Sequence, residues 1–468
     1  MKKIQGDSAL ILKKLRRDAL LILRAALDAA HAGHAVSRSV DTTATGVRIE
    51  GRSFRLARGA RIWVVGAGKA SATMARALET ILGRRVAGGV VVTKYGHAVS
   101  CRRIKILEAS HPEPDAASVE AGRQISQCIS EAAPDDLVLV VLSGGGSALM
   151  ELPRPGLTLA HIRLATRAML RSEFTIHQIN AVRKHLSAVK GGGLARHCRA
   201  TMVVLALSDV IGDRLASIAS GPAAPDPTTF RQCAQLLAAL PGRSAPRAVR
   251  EYINRGAAGL EPETLKRSQA RVHHFVIGSN RLALDAARRQ ARRLGYRSMV
   301  LTSALQGDNA AAADLHARLA ARIASKGRPL APPACVLSGG ETTLVVRGDG
   351  KGGRNLQFAL EVVQSLAAIG SPAVVASLGT DGTDGPTDVA GALVDTSSLG
   401  RATALGLDPN DYLVRNDSYH FFEKLGDLIR TGPTQTNVMD LHLVLVGNRE
   451  KSQSRARKRA GKSGHKLL

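Results

Sequence analysis

Short apolar segments alternate with segments of helical length along this chain, and this alternation constrains the fold more than any other feature. The run at 137–142 is apolar without interruption, which fits a strand buried on both faces and is too short to cross a bilayer. This strand is predicted to span 136–142. Further strands are predicted at 61–66, 86–93, 103–109 and 201–208, and helices at 71–82 and 116–132. Strands of this kind, separated by helices, indicate a mostly parallel sheet covered by helices.

A second block of the chain repeats the pattern. It contains predicted strands at 273–278, 297–303, 334–340, 372–379 and 440–447. A stretch rich in Pro, Gly and Arg, residues 241–271, separates the two blocks. We therefore predict two α/β domains, residues 1–260 and 261–448, followed by a disordered basic tail at 449–468; a single interlocked unit is the alternative.

The charge of the chain suggests an anionic partner. Among 468 residues, 65 are Lys or Arg and 38 are Asp or Glu, which gives a formal net charge of +27. Nucleic acid is the obvious candidate, but aromatic residues make up only 3% and offer few platforms for base stacking. We therefore expect no nucleic-acid partner and treat most of the charge as surface composition.

The N-terminus and the cysteines help to define the class of protein. Residues 1–30 begin like a signal peptide, but Lys13, Lys14, Arg16 and Arg17 interrupt the apolar stretch. We predict an amphipathic helix, a cytoplasmic location and no membrane association. The five cysteines are scattered and odd in number, which disfavours a disulfide framework or a zinc site.

Two glycine-rich loops follow strands of the first block. In the first, Gly66 and Gly68 precede Lys69 at a helix start, where backbone N–H groups and a lysine suit phosphate or carboxylate. A Rossmann fingerprint is weak here because its third glycine is missing, and a surface lysine at a tight turn is the alternative. The second loop predicts an anion cradle, with a flexible turn as the alternative. It lacks the closing glycine of a nucleophile elbow. It consists of Ser143, Gly144, Gly145, Gly146 and Ser147.

Charged side chains follow at helical spacing and after the next strand. Asn180, Arg183 and Lys184 are three or four residues apart and would share one helix face suited to an acidic ligand, unless that face is simply solvated. Asp209 and Asp213 lie just beyond the strand that ends at residue 208. Carboxylates there suit Mg²⁺ or a general base, with helix capping as the alternative.

The second block carries two more polar sets. Glu341 follows a strand, and Arg354 and Asn355 follow a glycine pair at a helix start, where a guanidinium group can reach phosphate oxygens. Asp381 and Asp384 lie in a loop rich in Thr and Asp, whose oxygens favour a hard cation or a polyol.

Taken together and in order, these motifs resemble the glycerate 2-kinases of the MOFRL type, some of which carry the older label hydroxypyruvate reductase. The resemblance covers residues 19–447. The matching strings are VGAGKAS, HPEPD, SGGGSAL, INAVRKHLSAVKGG, SDVIGD with SGP, SGGETT, GGRN, TDGTDGPTDVAGA and GPTQTNV. It implies a larger Rossmann-like N-terminal domain and a smaller C-terminal MOFRL-type domain, with the active site in the cleft between them.

The resemblance also implies a reaction. The γ-phosphoryl group of ATP would pass to the 2-hydroxyl group of D-glycerate, with Mg²⁺, to give 2-phosphoglycerate. Lys69 and Arg354 would handle phosphate, and we assign Asp209 as the base. Asp213 and Asp381 are candidates for the metal, and a homodimer is one candidate for the oligomeric state. The remaining candidates for binding substrate or ATP are Gly66, Gly68, Ser143, Gly144, Gly145, Gly146, Ser147, Asn180, Arg183, Lys184, Glu341, Asn355 and Asp384.

The chain departs from the family pattern at a few positions. Leu356 and Gln357 follow Asn355 where the family reads Gln-Glu, so a carboxylate is lost, and Gly193 replaces a common arginine. Gln435 and Met439 replace a glycine and an asparagine.

Two other functions are weighed against the kinase. An NAD(P)H-dependent hydroxypyruvate reductase would need an acidic residue at the end of the second strand, where Lys94 stands. A nucleic-acid-binding protein is suggested by charge alone, and the loop carboxylates disfavour it.

Overall fold

The computed structural model describes residues 2–448, so the predicted tail at 449–468 lies outside the described residues. The described chain forms two compact α/β units, which confirms the predicted fold class. The larger unit comprises Leu27–Ala283 and Thr434–Met439; the smaller unit comprises 2–26, 284–433 and 440–448.

The strands form three sheets. They are β1 (Val40–Thr43), β2 (Gly46–Ile49), β3 (Arg52–Arg55), β4 (Ile62–Ala67), β5 (Val86–Lys94), β6 (Ile104–Ala109), β7 (Leu137–Leu142), β8 (Thr201–Leu207), β9 (Val272–Gly278), β10 (Arg297–Leu305), β11 (Ala334–Gly340), β12 (Ala373–Gly379), β13 (Gly391–Asp395), β14 (Leu428–Ile429) and β15 (Asp440–Val446).

The α-helices lie mostly between strands. They are α1 (Lys2–Ala30), α2 (Ala32–Ser39), α3 (Ser71–Leu82), α4 (Ala116–Ser130), α5 (Gly146–Leu149), α6 (Leu159–Leu170), α7 (Ile176–Leu186), α8 (Gly193–His197), α9 (Phe230–Ala238), α10 (Arg247–Ala257), α11 (Asn280–Arg293), α12 (Asn309–Lys326), α13 (Arg354–Glu361), α14 (Val363–Ala367), α15 (Ser398–Ala404), α16 (Pro409–Val414) and α17 (Ser418–Leu425).

The larger unit is built on a parallel sheet of six strands in the order β6-β5-β4-β7-β8-β9. All six residues of β7 are buried, as expected for a central strand covered by helices on both faces. Because the strands are parallel, the loops that follow β4, β7 and β8 meet at one edge of the sheet. A separate antiparallel sheet, β1-β2-β3, contributes Val40, Val47 and Ile49 to the core of this unit.

The sheet of the smaller unit differs from the prediction of mostly parallel strands. Its order is β10-β11-β15-β12-β13-β14, and only β10 and β11 pair in parallel; the other neighbours are antiparallel. The central strand β15 comes last in the chain and runs against both β11 and β12. All seven of its residues are buried, so its apolar pattern gave no indication of direction.

The predicted boundary near residue 260 differs from the division seen here. The strand β9, predicted in the second domain, pairs in parallel with β8 and completes the sheet of the larger unit. Residues 2–26, predicted in the first domain, belong to the smaller unit. There Arg16 of α1 donates to Asp395 (2.7 Å) and Asp427 (2.5 Å), two buried carboxylates. These contacts join residues far apart in sequence, which composition cannot reveal.

No single helix among residues 2–448 is long and apolar enough to span a membrane, although the bent pair Ala9–Ala30 and Ala32–Ser39, at 64°, passes on length and composition alone.

Candidate functional site

The two glycine-rich loops of the larger unit contact each other at the carboxyl ends of β4 and β7. The Lys69 N–H donates to the Gly144 carbonyl oxygen at 2.9 Å, and the Ala70 N–H donates to Ser143 Oγ at 3.0 Å. Ser143 Oγ also lies 3.2 Å from Ser71 Oγ. The Ser143 hydroxyl group, predicted to bind ligand, is therefore used to hold the two loops together.

Tight packing between these loops explains the glycines at 66 and 68. A Cβ atom at Gly68 would lie 2.1 Å from Ser143 Oγ, and one at Gly66 would lie 2.0 Å from the Val141 carbonyl oxygen. Both distances are far inside van der Waals contact. Contacts with β7 and with Ser143 therefore require glycine at these two positions, and their role in binding a ligand stays a prediction.

Asp209 lies against the second loop. A Cβ atom at Gly144 would fall 2.1 Å from Asp209 Oδ2, so the lack of a side chain at 144 admits this carboxylate. The fold thus brings together Asp209 and the 143–147 loop, which are separated by 62 or more residues in sequence. Asp213 lies four residues further on, with a positive φ of 52° and a partly buried side chain.

The remaining part of the loop contacts a strained segment. Ser147 Oγ lies 2.7 Å from Ser220 Oγ, and a Cβ atom at Gly146 would meet Ala219 Cβ at 2.7 Å. Ala219 and Ser220 both have positive φ, 50° and 61°, a conformation that costs non-glycine residues about 1 kcal/mol or more. Such strained conformations persist only where surrounding contacts hold them, and they are typical of functional sites.

His111 is the main site residue that the sequence analysis missed. It flanks Gly145, where a Cβ atom would lie 3.0 Å from His111 Cδ2 and 3.3 Å from Lys69 Cγ. Burial, together with the positive charges of Lys69, Lys94 and Arg183, lowers the pKa of His111 to about 4. The imidazole is therefore neutral at pH 7. His111 begins the family string HPEPD, but a single histidine after a strand does not indicate that cations lie nearby in the fold.

Arg183 is a cation without a carboxylate partner in the described part of the chain. Its Nη2 donates to the Ser147 carbonyl oxygen at 3.1 Å and its Nη1 to Asn180 Oδ1 at 3.5 Å, while the buried Nε has no hydrogen-bond partner. Burial lowers the pKa of Arg183, and the charge of Glu151 opposes the shift. A guanidinium group that forms no ion pair with a carboxylate can bind an anion.

Lys184 corrects the prediction of one shared cationic face. Its Nζ lies 3.3 Å from Asp226 Oδ1, and both side chains are buried. Asp226 also accepts from Thr228 Oγ1 (2.8 Å) and Thr264 Oγ1 (3.0 Å). Lys184 is thus part of a structural ion pair and is not available to a ligand, because a residue one step along a helix points about 100° away from its neighbour.

Arg354 of the smaller unit is already paired with two carboxylates. Its Nε and Nη2 donate to Asp440 Oδ2 (2.5 Å) and Oδ1 (3.1 Å), and its Nη1 donates to Glu341 Oε1 (2.7 Å). Burial alone would lower the pKa of Arg354, but Asp440, Glu341 and Asp384 raise it. The predicted phosphate ligand therefore has a compensated charge, although two of the five N–H groups of a guanidinium remain to reach an anion.

Asp384 caps a helix, contrary to the prediction that it contacts substrate. Its Oδ1 accepts from the backbone N–H (3.0 Å) and Nδ2 (3.1 Å) of Asn355, and its Oδ2 accepts from the Leu356 N–H (2.7 Å). The two backbone N–H groups are orphan donors of the first turn of α13. Asn355 Nδ2 also donates to Asp440 Oδ1 at 3.1 Å. Burial raises the pKa of Asp384 to about 6.

The described residues contain no group of three or more His, Cys, Asp or Glu side chains that could hold a metal ion. Asp381 accepts from the N–H and Oγ1 of Thr383, both at 3.1 Å and both through Oδ1. Mg²⁺ in phosphoryl-transfer sites commonly takes only one or two carboxylates and receives its other ligands from phosphates and water. Asp381 fits such a partial role through Oδ2, whereas Asp384 does not, because both its oxygens are used.

At two departures from the family pattern, the backbone geometry favours the residues that the family carries. Gln435 and Met439 have positive φ, 58° and 70°. Glycine and asparagine, which the family carries there, tolerate this conformation better than most residues. Leu356 lies in the core of the smaller unit, and Gln357 is buried. At Gly193 a Cβ atom would lie 2.0 Å from the Ala188 carbonyl oxygen, so this backbone leaves no room for a side chain.

Two family models match the chain. One, described as a domain of unknown function (DUF4147), matches residues 18–254, and the MOFRL family model matches residues 334–440. Together they span parts of both units.

Named relatives and solved structures are also similar to this chain over most of its length. A glycerate 2-kinase from Pyrococcus horikoshii is 39% identical over 93% of this chain and 98% of its own length. A D-glycerate 2-kinase from Thermotoga maritima is 41% identical over 82% of this chain and 91% of its own. The crystal structure of a Thermotoga maritima glycerate kinase superposes with a TM-score of 0.84 at 38% identity, covering 93% of this chain and all of that one.

Proposed function

This chain belongs to the glycerate 2-kinase family, and from that premise we propose that it transfers the γ-phosphoryl group of ATP to the 2-hydroxyl group of D-glycerate, giving 2-phosphoglycerate. D-glycerate, ATP and the transferring phosphoryl group all carry negative charge. Binding such a group in a protein requires fixed positive charge and hydrogen-bond donors that are not already satisfied.

The observation that carries the proposal is the cation cluster beside the 143–147 loop. Lys69, Lys94 and Arg183 all act on the His111 imidazole, and Arg183 has no ion pair within residues 2–448. Nearby like charges repel, so a bound anion would stabilise a cluster of this kind. The glycerate carboxylate and the phosphate oxygens are the anions that the family premise supplies.

We assign roles to the side chains from their positions. Lys69 and Arg183 neutralise phosphoryl or carboxylate oxygens, and the neutral His111 donates or accepts one hydrogen bond without adding charge. Asp209, which lies beside Gly144, takes the proton from the 2-hydroxyl group of glycerate. The hydroxyl oxygen attacks the γ-phosphorus, and ADP leaves. Arg354, oriented by Asp440 and Glu341, offers its remaining N–H groups to phosphate.

Magnesium is proposed to enter with ATP. When bound, Mg²⁺ neutralises charge on the β- and γ-phosphate oxygens. Asp381 and Asp213 are the alternative candidates to hold it, either one as a single carboxylate. A cytoplasmic location, the absence of a nucleic-acid partner and a homodimeric state remain predictions.

The test is a product analysis. The protein is incubated with D-glycerate, ATP and Mg²⁺, and the site of phosphorylation is read by ³¹P and ¹³C nuclear magnetic resonance, with parallel assays for ADP release and for NADH consumption with hydroxypyruvate. We expect 2-phosphoglycerate in a 1:1 ratio with ADP. Formation of 3-phosphoglycerate, or oxidation of NADH without ADP release, would overturn the assignment.

A control pair localises the activity. Lys69→Met should lower turnover at least ~100-fold, because charges that stabilise a phosphoryl group contribute several kcal/mol in the transition state. Lys326→Met removes one exposed positive charge from the last turn of α12 and should leave turnover within twofold of the wild type. Equal effects of the two substitutions would argue against a catalytic role for Lys69.

A further inference from the structure

A basic pocket in the larger unit lies at the edge of the parallel sheet opposite to the candidate site. Its volume is about 740 Å³, within the range of small-molecule sites. It is formed where α3 ends and where β5 and β6 begin. The residues that line it are Arg76, Glu79, Thr80, Gly83, Arg84, Arg102 and Arg103.

The position separates this pocket from the catalytic loops. Lys69, Ser143 and Asp209 follow the carboxyl ends of β4, β7 and β8, whereas Arg84 and Arg103 precede the amino ends of β5 and β6. A six-residue strand such as β4 is about 20 Å long. A ligand in the pocket would therefore lie at a second site on the same sheet.

The charge of the pocket is strongly positive. The carboxylate of Glu79 is the acidic group in its lining, and it accepts the backbone N–H groups of Arg102 (2.8 Å) and Arg103 (2.6 Å). Its separation from Arg76 Nη1 is 4.0 Å. Glu79 thus fixes the backbone that carries two arginines while doing little to neutralise their side chains.

The guanidinium groups remain open to a ligand. Within the described residues, Arg84, Arg102 and Arg103 form no ion pair, and all three side chains are exposed. Arg76 donates to the Ser100 carbonyl oxygen at 2.9 Å, which holds the Arg102 segment close to α3. Four guanidinium groups around one concave surface match the geometry of an anion with several phosphate oxygens, because each can donate two parallel hydrogen bonds.

We propose that this pocket is a second anion site that binds a small ligand with two or more phosphate groups. The proposal does not depend on the kinase assignment, because none of its residues belongs to the candidate active site.

The experiment measures binding of inorganic tripolyphosphate to the full-length protein by isothermal titration calorimetry at 50 and 150 mM salt. Because the candidate active site should also bind tripolyphosphate, we expect two binding events in the wild type. Arg102→Ala/Arg103→Ala should weaken one event at least tenfold and leave kinase turnover within twofold, whereas Lys69→Met should weaken the other event.

The matched control removes the same charge elsewhere. Arg292 and Arg293 are adjacent, exposed arginines in the last turn of α11, and Arg292→Ala/Arg293→Ala should leave both events within twofold of the wild type. An equal loss in the control would mean that net charge alone attracts the probe and would overturn the proposal. So would a single binding event that Arg102→Ala/Arg103→Ala leaves unchanged, or tighter, arginine-dependent binding of a 20-nucleotide single strand than of tripolyphosphate.

Discussion

Arg183 and Lys184 are adjacent on α7, but only Lys184 is neutralised by a carboxylate. Lys184 Nζ lies 3.3 Å from the buried Asp226, while Arg183 donates to the Ser147 carbonyl oxygen at 3.1 Å and forms no ion pair within residues 2–448. Removal of the positive charge should therefore impair catalysis at Arg183 and lower stability at Lys184.

Arg183→Met should impair the reaction without lowering stability. The substitution removes a partly buried cation that forms no ion pair within residues 2–448, so the free energy of unfolding should stay constant or rise. The KM for D-glycerate or ATP should rise at least tenfold, measured by steady-state kinetics beside urea unfolding. A stability loss with unchanged kinetics would mean that Arg183 has only a structural role.

Lys184→Met should destabilise the larger unit and leave the kinetics of the folded enzyme almost unchanged. Breaking one side of a buried ion pair leaves Asp226 without its cation, which costs about 3 kcal/mol or more. We expect a lower Tm by calorimetry, with kcat and KM within twofold of the wild type below the transition. In the double variant with Asp226→Asn, part of the lost stability should return, since no buried charge is left unpaired.

The pKa of His111 should report on anion binding. Burial and the charges of Lys69, Lys94 and Arg183 lower it to about 4 from an ordinary value of 6.5. An anion bound among these cations stabilises the imidazolium ion, so saturating D-glycerate or ADP should raise this pKa. The measurement is a ¹⁵N–¹H spectrum of the imidazole across pH 4–8, assigned with His111→Gln. An unchanged titration on saturation would place the anion elsewhere.

The lowered pKa of His111 also makes the free energy of unfolding depend on pH. A histidine whose pKa is depressed in the folded state contributes stability above pH 6.5 and loses that contribution as the pH falls toward 4. In His111→Gln, the free energies of unfolding measured by urea titration at pH 7 and pH 5 should therefore differ less than in the wild type.

Arg354→Ala should destabilise the smaller unit in a pH-dependent way. Asp440 is buried, and burial already raises its pKa although Arg354 opposes the shift. Removing the guanidinium group raises that pKa further. A carboxyl group whose pKa is higher in the folded state stabilises the protein at low pH and loses this contribution as pH rises. The loss of stability in the variant should be largest near pH 8 and shrink toward pH 5 in urea titrations, and Arg354→Ala/Asp440→Asn should remove this dependence.

Asp384→Ala should separate a helix cap from a metal ligand. Asp384 accepts three hydrogen bonds from Asn355 and Leu356 at the start of α13, and losing an N-cap interaction costs about 1–2 kcal/mol. We expect a lower Tm and reduced turnover, because Arg354 is the first residue of that helix. The Mg²⁺ concentration for half-maximal activity should stay within twofold; a large increase would show that Asp384 binds the metal instead.

Much of the local structure was predictable because it depends on neighbours in the chain. The apolar run of β7 and the helices α3 and α4 follow from side-chain periodicity. The convergence of the loops after β4, β7 and β8 also followed, since parallel strands place their carboxyl ends at one edge. The antiparallel position of β15 did not, because a strand that is buried along its whole length fits either direction.

The sequence by itself determined which chemistry this protein can perform: the ordered motifs place it in the glycerate 2-kinase family, and the positions of Lys69 and Asp209 after buried strands follow from the pattern of the chain. Only the tertiary structure decided which charges are free to act. Lys184 and Asp384 are consumed by Asp226 and by the first turn of α13, Arg354 is paired with Asp440, and Arg183 and His111 join Lys69. The physical reason is that an ionisable group acts according to its burial and nearest charges, and those neighbours come from distant parts of the chain.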